Sequence, residues 1–512
     1  MPENWTDGYI ADINYTNNFY GELLPHSLQF CMTLKGFEAP DANQPLRYCE
    51  LGCGYGVTAN IMAMAYPHIT FDAVDFNPSQ IVAARAAAES AGLHNIRFHE
   101  RSFQEFLDES DLPEYDIISL HGIHSWVSFE NRNFILNFIK RKLRSGGIVY
   151  ISYNCSVGWL PLAPLRKLIQ EHAEASAGGR QEQVSQALAL ARELIETNAH
   201  YFKHVPGAVG QIKAMDQKAL GYIVHEFLGQ EWHPSYFADM AEELWSVKLS
   251  FAASAYLRDH VDQVNLSNEQ LALLNKIKDP NRKESLRDIM VSQGFRRDIF
   301  VRGPRKLSVA RRAQILSNYR FALTITPDSF ISNLDALNGK AQLPLELYGP
   351  VLQRMAKGPT RLLDLIEDTN CSKFGATSLM HMLIVLVATE QASLCLPDEG
   401  YDVRRVRASA LNEALFNEPV MGCNLYWASP LLGSGILTDW LNVTILGALE
   451  RGIDPVDLAW TRLCDNGQRL VHESRSLLTE AENRDELARR VEQFRAGELQ
   501  RLTGLGVSTM PR

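Results

Sequence analysis

Between residues 46 and 154 the chain switches repeatedly between two hydrophobic rhythms. Short apolar runs fall at 46–51 (LRYCEL), 70–74, 95–99, 115–120 (YDIISL) and 148–153 (IVYISY). Runs of this length, bounded by turn residues, read as strands buried on both faces. Helical spacing fills the gaps at 57–66, at 79–91 behind Pro78, and at 133–143, which stops at Ser145-Gly146-Gly147. A proline near the first turn and glycines just past the end are the expected helix punctuation. Strands alternating with helices of this kind predict right-handed βαβ units and a parallel sheet.

The flanks read differently. The first 45 residues carry Trp5, Tyr9, Tyr15, Phe19, Tyr20, Phe30 and Phe37 without a clean period, and predict a cap over the neighbouring core. From 161 to 245 the strand pattern vanishes. Amphipathic helices are predicted at 165–175 and 182–197, with more helix at 219–228 and 236–245. Residues 249–253 and 294–301 (GFRRDIFV) then resemble two late strands that complete the sheet. Beyond residue 307 the character changes again. The order helix, helix, longer helix, strand over 342–396 suits a winged-helix-like domain, and 480–502 predicts one charged amphipathic helix. The expected division is an N-terminal cap (1–45), a Rossmann-like core (46–160), a helical insertion with the last strands (161–310), and a mainly helical, winged-helix-like region (311–512).

Composition narrows the function. At 512 residues, 46% hydrophobic and 21% charged, the chain is globular and not disordered, collagenous or coiled-coil. Fifty Lys and Arg against sixty Asp and Glu give a net charge of −10, which is not the balance of a protein that coats nucleic acid. The basic run Arg296, Arg297, Arg302, Arg305, Lys306, Arg311 and Arg312 is read as a solvated strand and helix face. Residues 1–10 lack the basic and apolar regions of a secretory signal. The greasiest stretch, 379–396, is broken by His381 and Thr389-Glu390-Gln391, short of the ~20 apolar residues a membrane span needs. Eight cysteines without a Cys-x-x-Cys pair point to a reducing, cytoplasmic compartment and no structural zinc. His121 and His124 have metal-like spacing but no third ligand nearby, so no metal is expected.

The chemistry concentrates where the first strand meets the first helix. Glu50-Leu51-Gly52-Cys53-Gly54-Tyr55-Gly56 is a Gly-x-Gly-x-Gly loop, and position 57, where a dinucleotide fingerprint wants its third glycine, is Val. That spacing favours S-adenosylmethionine (SAM), which has no pyrophosphate for a helix N-terminus to grip. Asp75 ends the second strand, close to the ~20 residues expected before an acid that holds a ribose hydroxyl pair. Ser102 and Phe103 follow the third strand where an adenine would lie, and His121 follows the fourth at the carboxyl edge of the sheet.

ELGCGYG, the acid of VDFNP, YDIISLHGIHSWV and ISYNCSVGW together resemble class I SAM-dependent methyltransferases. More narrowly, the chain resembles the bacterial group with a methyltransferase regulatory domain, which includes the rickettsial-type protein lysine methyltransferases. Supporting segments are YIVHEFL at 222–228, PSYF at 234–237 and FRRDIFVRG at 295–303. The resemblance implies Glu50, Gly52, Gly54 and Gly56 around the methionine part of SAM, Asp75 on the ribose, Ser102 and Phe103 on the adenine, and His121 near the sulfonium. It also implies a protein substrate methylated on lysine.

A lysine ammonium must lose a proton before it can attack, and an apolar aromatic site favours that loss by desolvation. Trp126, Tyr153, Trp159, Trp232 and Tyr236 fall near the predicted mouth, with Tyr153-Asn154 the expected acceptor-positioning pair and Trp126 beside it. His225-Glu226 could relay a proton or belong to an ordinary helix. The alternatives are a methyltransferase for a small molecule or nucleic acid, and a SAM-binding regulatory protein without turnover. A homodimer is compatible with either reading.

Overall fold

The structure is a computed structural model; it describes residues 10, 17–216, 218, 220–336, 339–417, 420–472, 475–508 and 510. Trp5, Tyr9 and Tyr15 of the expected cap, and position 219 of the expected insertion helix, lie outside those residues.

The core is a seven-stranded sheet. Its strands are β1 (Arg47–Leu51), β2 (Thr70–Asp75), β3 (Ile96–Glu100), β4 (Tyr115–Leu120), β5 (Leu143–Asn154), β6 (Leu249–Ser254) and β7 (Phe295–Arg302), in the order β3-β2-β1-β4-β5-β7-β6. The first five run parallel, and β7 runs antiparallel to both its neighbours. The chain starts at the middle, winds outward to β3, returns across β1 to β4, and so leaves a topological switch point beside β1. In register, Leu51 faces both Val74 and Leu120, so β1, β2 and β4 end level at one carboxyl edge.

Helices cover both faces. Between the strands run α1 (Pro25–Leu34, ahead of β1), α2 (Val57–Ala65), α3 (Pro78–Ser90), α4 (Phe103–Asp108) and α5 (Phe129–Lys142). Asn77 caps α3, its side chain accepting from the Ser79 N–H, with Pro78 at the first helical position. Ser102 and Glu105 cap α4 reciprocally, which stabilises so short a helix by about 1 kcal/mol. One apolar layer joins Tyr48, Met62, Phe71 and Tyr150; the opposite layer joins Val74, Phe106, Phe138 and Tyr153.

The insertion forms a helical bundle with its own core. Leu165 and Ile169 of the helix Ala163–Ala175 meet Val184 and Leu188 of Arg180–Glu196, and Val224 and Phe227 of Leu220–Leu228. The last helix of that bundle borders the carboxyl edge of the sheet.

Beyond β7 the expected order is found. Helices Leu345–Met355, Leu362–Glu367 and Gly375–Ala388 lead into the strand Ala392–Cys395, which pairs with Arg320–Leu323 beside the short strand Thr360–Arg361. Among the described residues no helix is long and apolar enough to cross a membrane. The charged helix at the C-terminal end begins at Thr479, whose capping box with Glu482 starts Glu480–Gln493; the chain then widens at Phe494–Glu498 before Leu499–Gly504.

The C-terminal region is not a separate bead. Leu396, Ala408 and Ala428 belong to the same apolar cluster as Met62 and Phe71 of the sheet layer. Arg407, on the helix Tyr401–Asn417, donates to the Ala63 carbonyl at 3.3 Å and to the Asn95 side chain at 3.2 Å. Neither this helix nor the hairpin Leu425–Ser429/Ser434–Thr438 after it is anticipated in the sequence.

The strand half of the basic run is not a solvated face. Arg296 is 4% exposed and is held by Asp288 at 2.5 Å, Asp298 at 2.8 Å and Glu284 at 3.0 Å. Arg297 pairs with Glu22 at 2.8 Å, and Arg302 donates to the Ile139 carbonyl at 3.0 Å. Arg305 pairs with Glu38, and the Lys306 ammonium sits 3.2 Å over the Phe37 ring. Internal partners hold the strand half, Arg296, Arg297 and Arg302, whereas Arg305, Lys306, Arg311 and Arg312 are exposed, as the expected solvated face requires.

Candidate active site

A cavity of about 540 Å³ opens along the carboxyl edge of the sheet, within the size range of ligand sites. Its floor is the ends of β3, β2, β1, β4 and β5, and the lining order follows the strand order: Phe103, Asp75, Gly52, His121, Asn154. The start of antiparallel β7 adds Phe295 and Arg297, and the helix Leu220–Leu228 adds Tyr222, His225 and Glu226 as an upper wall.

The glycine loop must be glycine for steric reasons that differ by position. Gly52 has φ +77°, and a Cβ there would stand 2.3 Å from Ile123 Cδ1. Gly56 has φ +68° and begins α2, where a Cβ would stand 2.7 Å from the Ala84 Cβ and 2.8 Å from Phe98 Cε1. Gly56 therefore lets α2 pack closely against α3 and β3, and it does not line the cavity. This corrects the expectation that it borders the methionine part.

Asp75 is tied to the loop. Its Oδ2 accepts from the Gly54 N–H at 2.9 Å and its Oδ1 from the Asn77 N–H at 3.0 Å, which fixes the carboxylate at the cavity wall. Burial nevertheless raises its pKa, against the pull of those backbone donors. Glu50 is more exposed to that conflict. It is 5% accessible, its Oε2 has no hydrogen-bond partner, and burial plus the nearby Asp75 push its pKa up to about 8. Two buried acids side by side, one lacking a partner, call for a cationic or hydrogen-bond-donating ligand.

Ser102 sits at the rim, but its hydroxyl is spent on the α4 cap, donating to Glu105 at 3.0 Å and accepting from its N–H. The adenine-edge role expected of that hydroxyl loses its donor, while the neighbouring Phe103 ring and Arg101 line the wall. His121 stacks on Tyr20 at 3.6 Å and its Nδ1 meets the Tyr150 hydroxyl at 2.8 Å. Burial lowers its pKa to about 4, so the ring is neutral at pH 7. His124 turns to Glu243 at 3.1 Å, so the two histidines serve different partners.

At the β5 end the expected pair splits. Asn154 lines the cavity, and its buried Nδ2 has no full hydrogen bond within the chain. Tyr153 points the other way: it is fully buried, in the opposite apolar layer, with its hydroxyl donating to Asp298 at 2.8 Å. Consecutive strand residues face opposite sides of a sheet, so Tyr153 and Asn154 cannot both face one site. Tyr153 is a structural residue, and this corrects its expected acceptor-positioning role. Trp126 and Trp159 do line the cavity, whereas Trp232 stands behind Trp159 at 6.0 Å. Residues not foreseen for the site include Tyr20, Gln80 and Arg297, the first from the segment without a readable period.

Residues 42–227 match the family described as "Methyltransferase domain", and residues 220–302 match "Predicted methyltransferase regulatory domain". An uncharacterised protein, sll1526, of Synechocystis sp. is 36% identical over 505 residues, covering 98% of this chain and 100% of that one. The chain belongs to the class I SAM-dependent methyltransferases that carry this regulatory domain. The fold of the methyltransferase is shared with a solved structure, PKMT2 from Rickettsia typhi in complex with AdoHcy, at 17% identity and TM-score 0.68, covering 96% of this chain and 99% of that one. A shorter match, 28% identical over 106 residues (21% of this chain, 37% of the other), is malonyl-[acyl-carrier protein] O-methyltransferase of a Paenibacillus species. The residues present fit SAM: main chain at Gly52 and Gly54 borders the cavity, and the partnerless Oε2 of Glu50 suits a cationic group.

Proposed function

We propose that the methyltransferase methylates the side-chain amine of lysine in a protein substrate. The observation that carries this reading is that Trp126, Trp159 and Tyr222 line the same cavity as a buried acid, Glu226, whose carboxyl has Asn154 and Tyr222 as neighbours. Ring faces hold an aliphatic stem and steady a cation, and the acid complements the ammonium. The name of the structural neighbour from Rickettsia typhi, PKMT2, agrees with it.

SAM supplies a methyl group on a positively charged sulfur, a leaving group that needs no protonation. The chain's work is then alignment and exclusion of water. Asp75 would hold the ribose hydroxyls, Glu50 would face the α-ammonium, and Gly52 would let the backbone approach the methionine part. The Phe103 ring would border the adenine, and neutral His121, stacked on Tyr20, would close the rim without placing a second positive charge near the sulfonium.

The test is the fate of label. Incubation with methyl-labelled SAM and cell lysate is expected to yield labelled methyl-lysine in acid hydrolysates of protein. Label confined to small molecules or nucleic acid would overturn the lysine reading.

A further inference from the structure

The acceptor end holds a buried carboxylate that the alignment mechanism does not use. Glu226 is 7% exposed, lines the cavity, and projects from the helix Leu220–Leu228, which lies where the methyltransferase-domain and regulatory-domain matches overlap and not in the sheet. Asn154 of β5 and Tyr222 of its own helix neighbour the carboxyl group, and Arg166 of the adjacent bundle helix is the charge that faces it. Arg166 is itself turned to backbone, its NH2 donating to the Gly229 carbonyl at 2.6 Å and its guanidinium lying 4.8 Å over the Trp232 ring. Glu226 is thus supported by polar neighbours without a closed ion pair.

We propose that Glu226 accepts the proton of the incoming ammonium and is the group through which this helix, outside the sheet, takes part in catalysis. The inference rests on the amine reading above. The proton passes from the acceptor's NH₃⁺ to the Glu226 carboxylate, giving a neutral amine and a carboxylic acid. The nitrogen lone pair then forms the new N–C bond as the C–S bond breaks with its electrons staying on sulfur. The methylated ammonium leaves, and Glu226 returns its proton to water. Burial raises the pKa of the acid to about 7, with Arg166, Asn154 and Tyr222 restraining the rise, so it is partly ionised at neutral pH and basic enough to take a proton.

The experiment uses the full chain with S-adenosylhomocysteine bound and n-butylammonium as a lysine-stem probe, read by tryptophan fluorescence from Trp126 and Trp159. The wild type is expected to bind the probe more tightly from pH 6 to 8 as Glu226 ionises. Glu226→Gln is expected to bind it about ten-fold more weakly, with no pH dependence and unchanged S-adenosylhomocysteine affinity. In label transfer to lysine, the wild-type rate should rise through about pH 7, the Gln variant should rise only as free amine accumulates toward about pH 10, and Glu226→Asp should recover the neutral limb in part. Unchanged probe binding and an unchanged pH profile, with methyl-lysine still formed, would overturn the Glu226 assignment and leave the amine reading standing. Absence of methyl-lysine with every variant and the wild type would overturn the amine reading, and Glu226 with it.

Discussion

The two ends of the cavity are built by opposite strategies. The cofactor end is made at consecutive strand ends, Glu50 to Gly54 at the end of β1, Asp75 at the end of β2 and Arg101 to Phe103 after β3, all within 54 residues of chain. The acceptor end gathers Tyr20, Trp126, Asn154, Glu226 and Arg297 from widely separated stretches of the sequence. The first is local geometry that a motif can encode. The second is a meeting of elements that exists only once the sheet, the insertion bundle and the N-terminal segment have docked. A family can therefore keep its cofactor loop while changing what it methylates by altering the insertion.

The largest expected effect breaks the second strategy at its foundation. A chain ending near residue 310 loses Leu396, Ala408, Ala428 and the Arg407 anchors, and strips apolar cover from α2 and α3. It should aggregate or unfold, seen as loss of the cooperative thermal transition and of monodisperse scattering.

Next comes Glu50→Gln. A carboxyl whose pKa is raised to about 8 on folding contributes stability at low pH that is lost as the pH climbs from the ordinary value of about 4.3 through 8. The neutral amide escapes that loss, so the ligand-free variant should melt several degrees higher than wild type at pH 8 and equally near pH 4. SAM affinity should nevertheless fall on the order of a hundred-fold, since a buried acid facing the α-ammonium is gone. Calorimetric titration and thermal melts on the same samples check both halves.

Asp75→Ala removes a charge-assisted hydrogen bond to the ribose, about 1.5–3 kcal/mol, or ten- to a hundred-fold in SAM affinity, and because burial also raises the Asp75 pKa its pH signature has the same sign as that of Glu50. The smallest effect belongs to Tyr153→Phe. It removes one buried hydrogen bond to Asp298, which Arg296 still holds at 2.8 Å, so stability should fall by roughly 1 kcal/mol in denaturant melts while SAM affinity and methyl-transfer rate stay level.

The contrast between the two ends also decides what the sequence could show. The parallel core and the Gly52, Gly54 and Asp75 cluster are legible because strand period, glycine spacing and acid spacing are short-range signals. Gly56 is legible as a glycine that must be one, but its neighbours Ala84 and Phe98 arrive from 28 and 42 residues away, so its packing role is not. α1 escapes notice because it is buried on nearly every side, and a helix covered all round has no polar stripe to set a period. The hairpin near residue 430 is hidden for a related reason: its turn carries the buried Leu432 and packs Gly433 against Leu396 and Ala65, where a solvent turn would be polar. Tyr153 is the instructive miss. The period of two in IVYISYN already assigns Tyr153 and Asn154 to opposite faces, and Asn154 to the face of Ser152, whose hydroxyl accepts from the Gly122 N–H at 2.8 Å in the loop after β4. For Glu226 the sequence leaves a proton relay and an ordinary helix equally open, because its role depends on which sheet edge its helix meets.

The most direct test of the division is a crossed measurement on Asp75→Ala and Asn154→Ala: S-adenosylhomocysteine affinity by calorimetry, and methyl transfer to lysine at saturating SAM. The account expects Asp75→Ala to weaken binding at least about ten-fold while the saturated rate changes little, and Asn154→Ala to leave binding within about two-fold while the rate drops about ten-fold or more. Asn154→Ala weakening the cofactor as much as Asp75→Ala, with the rate intact once saturated, would contradict it.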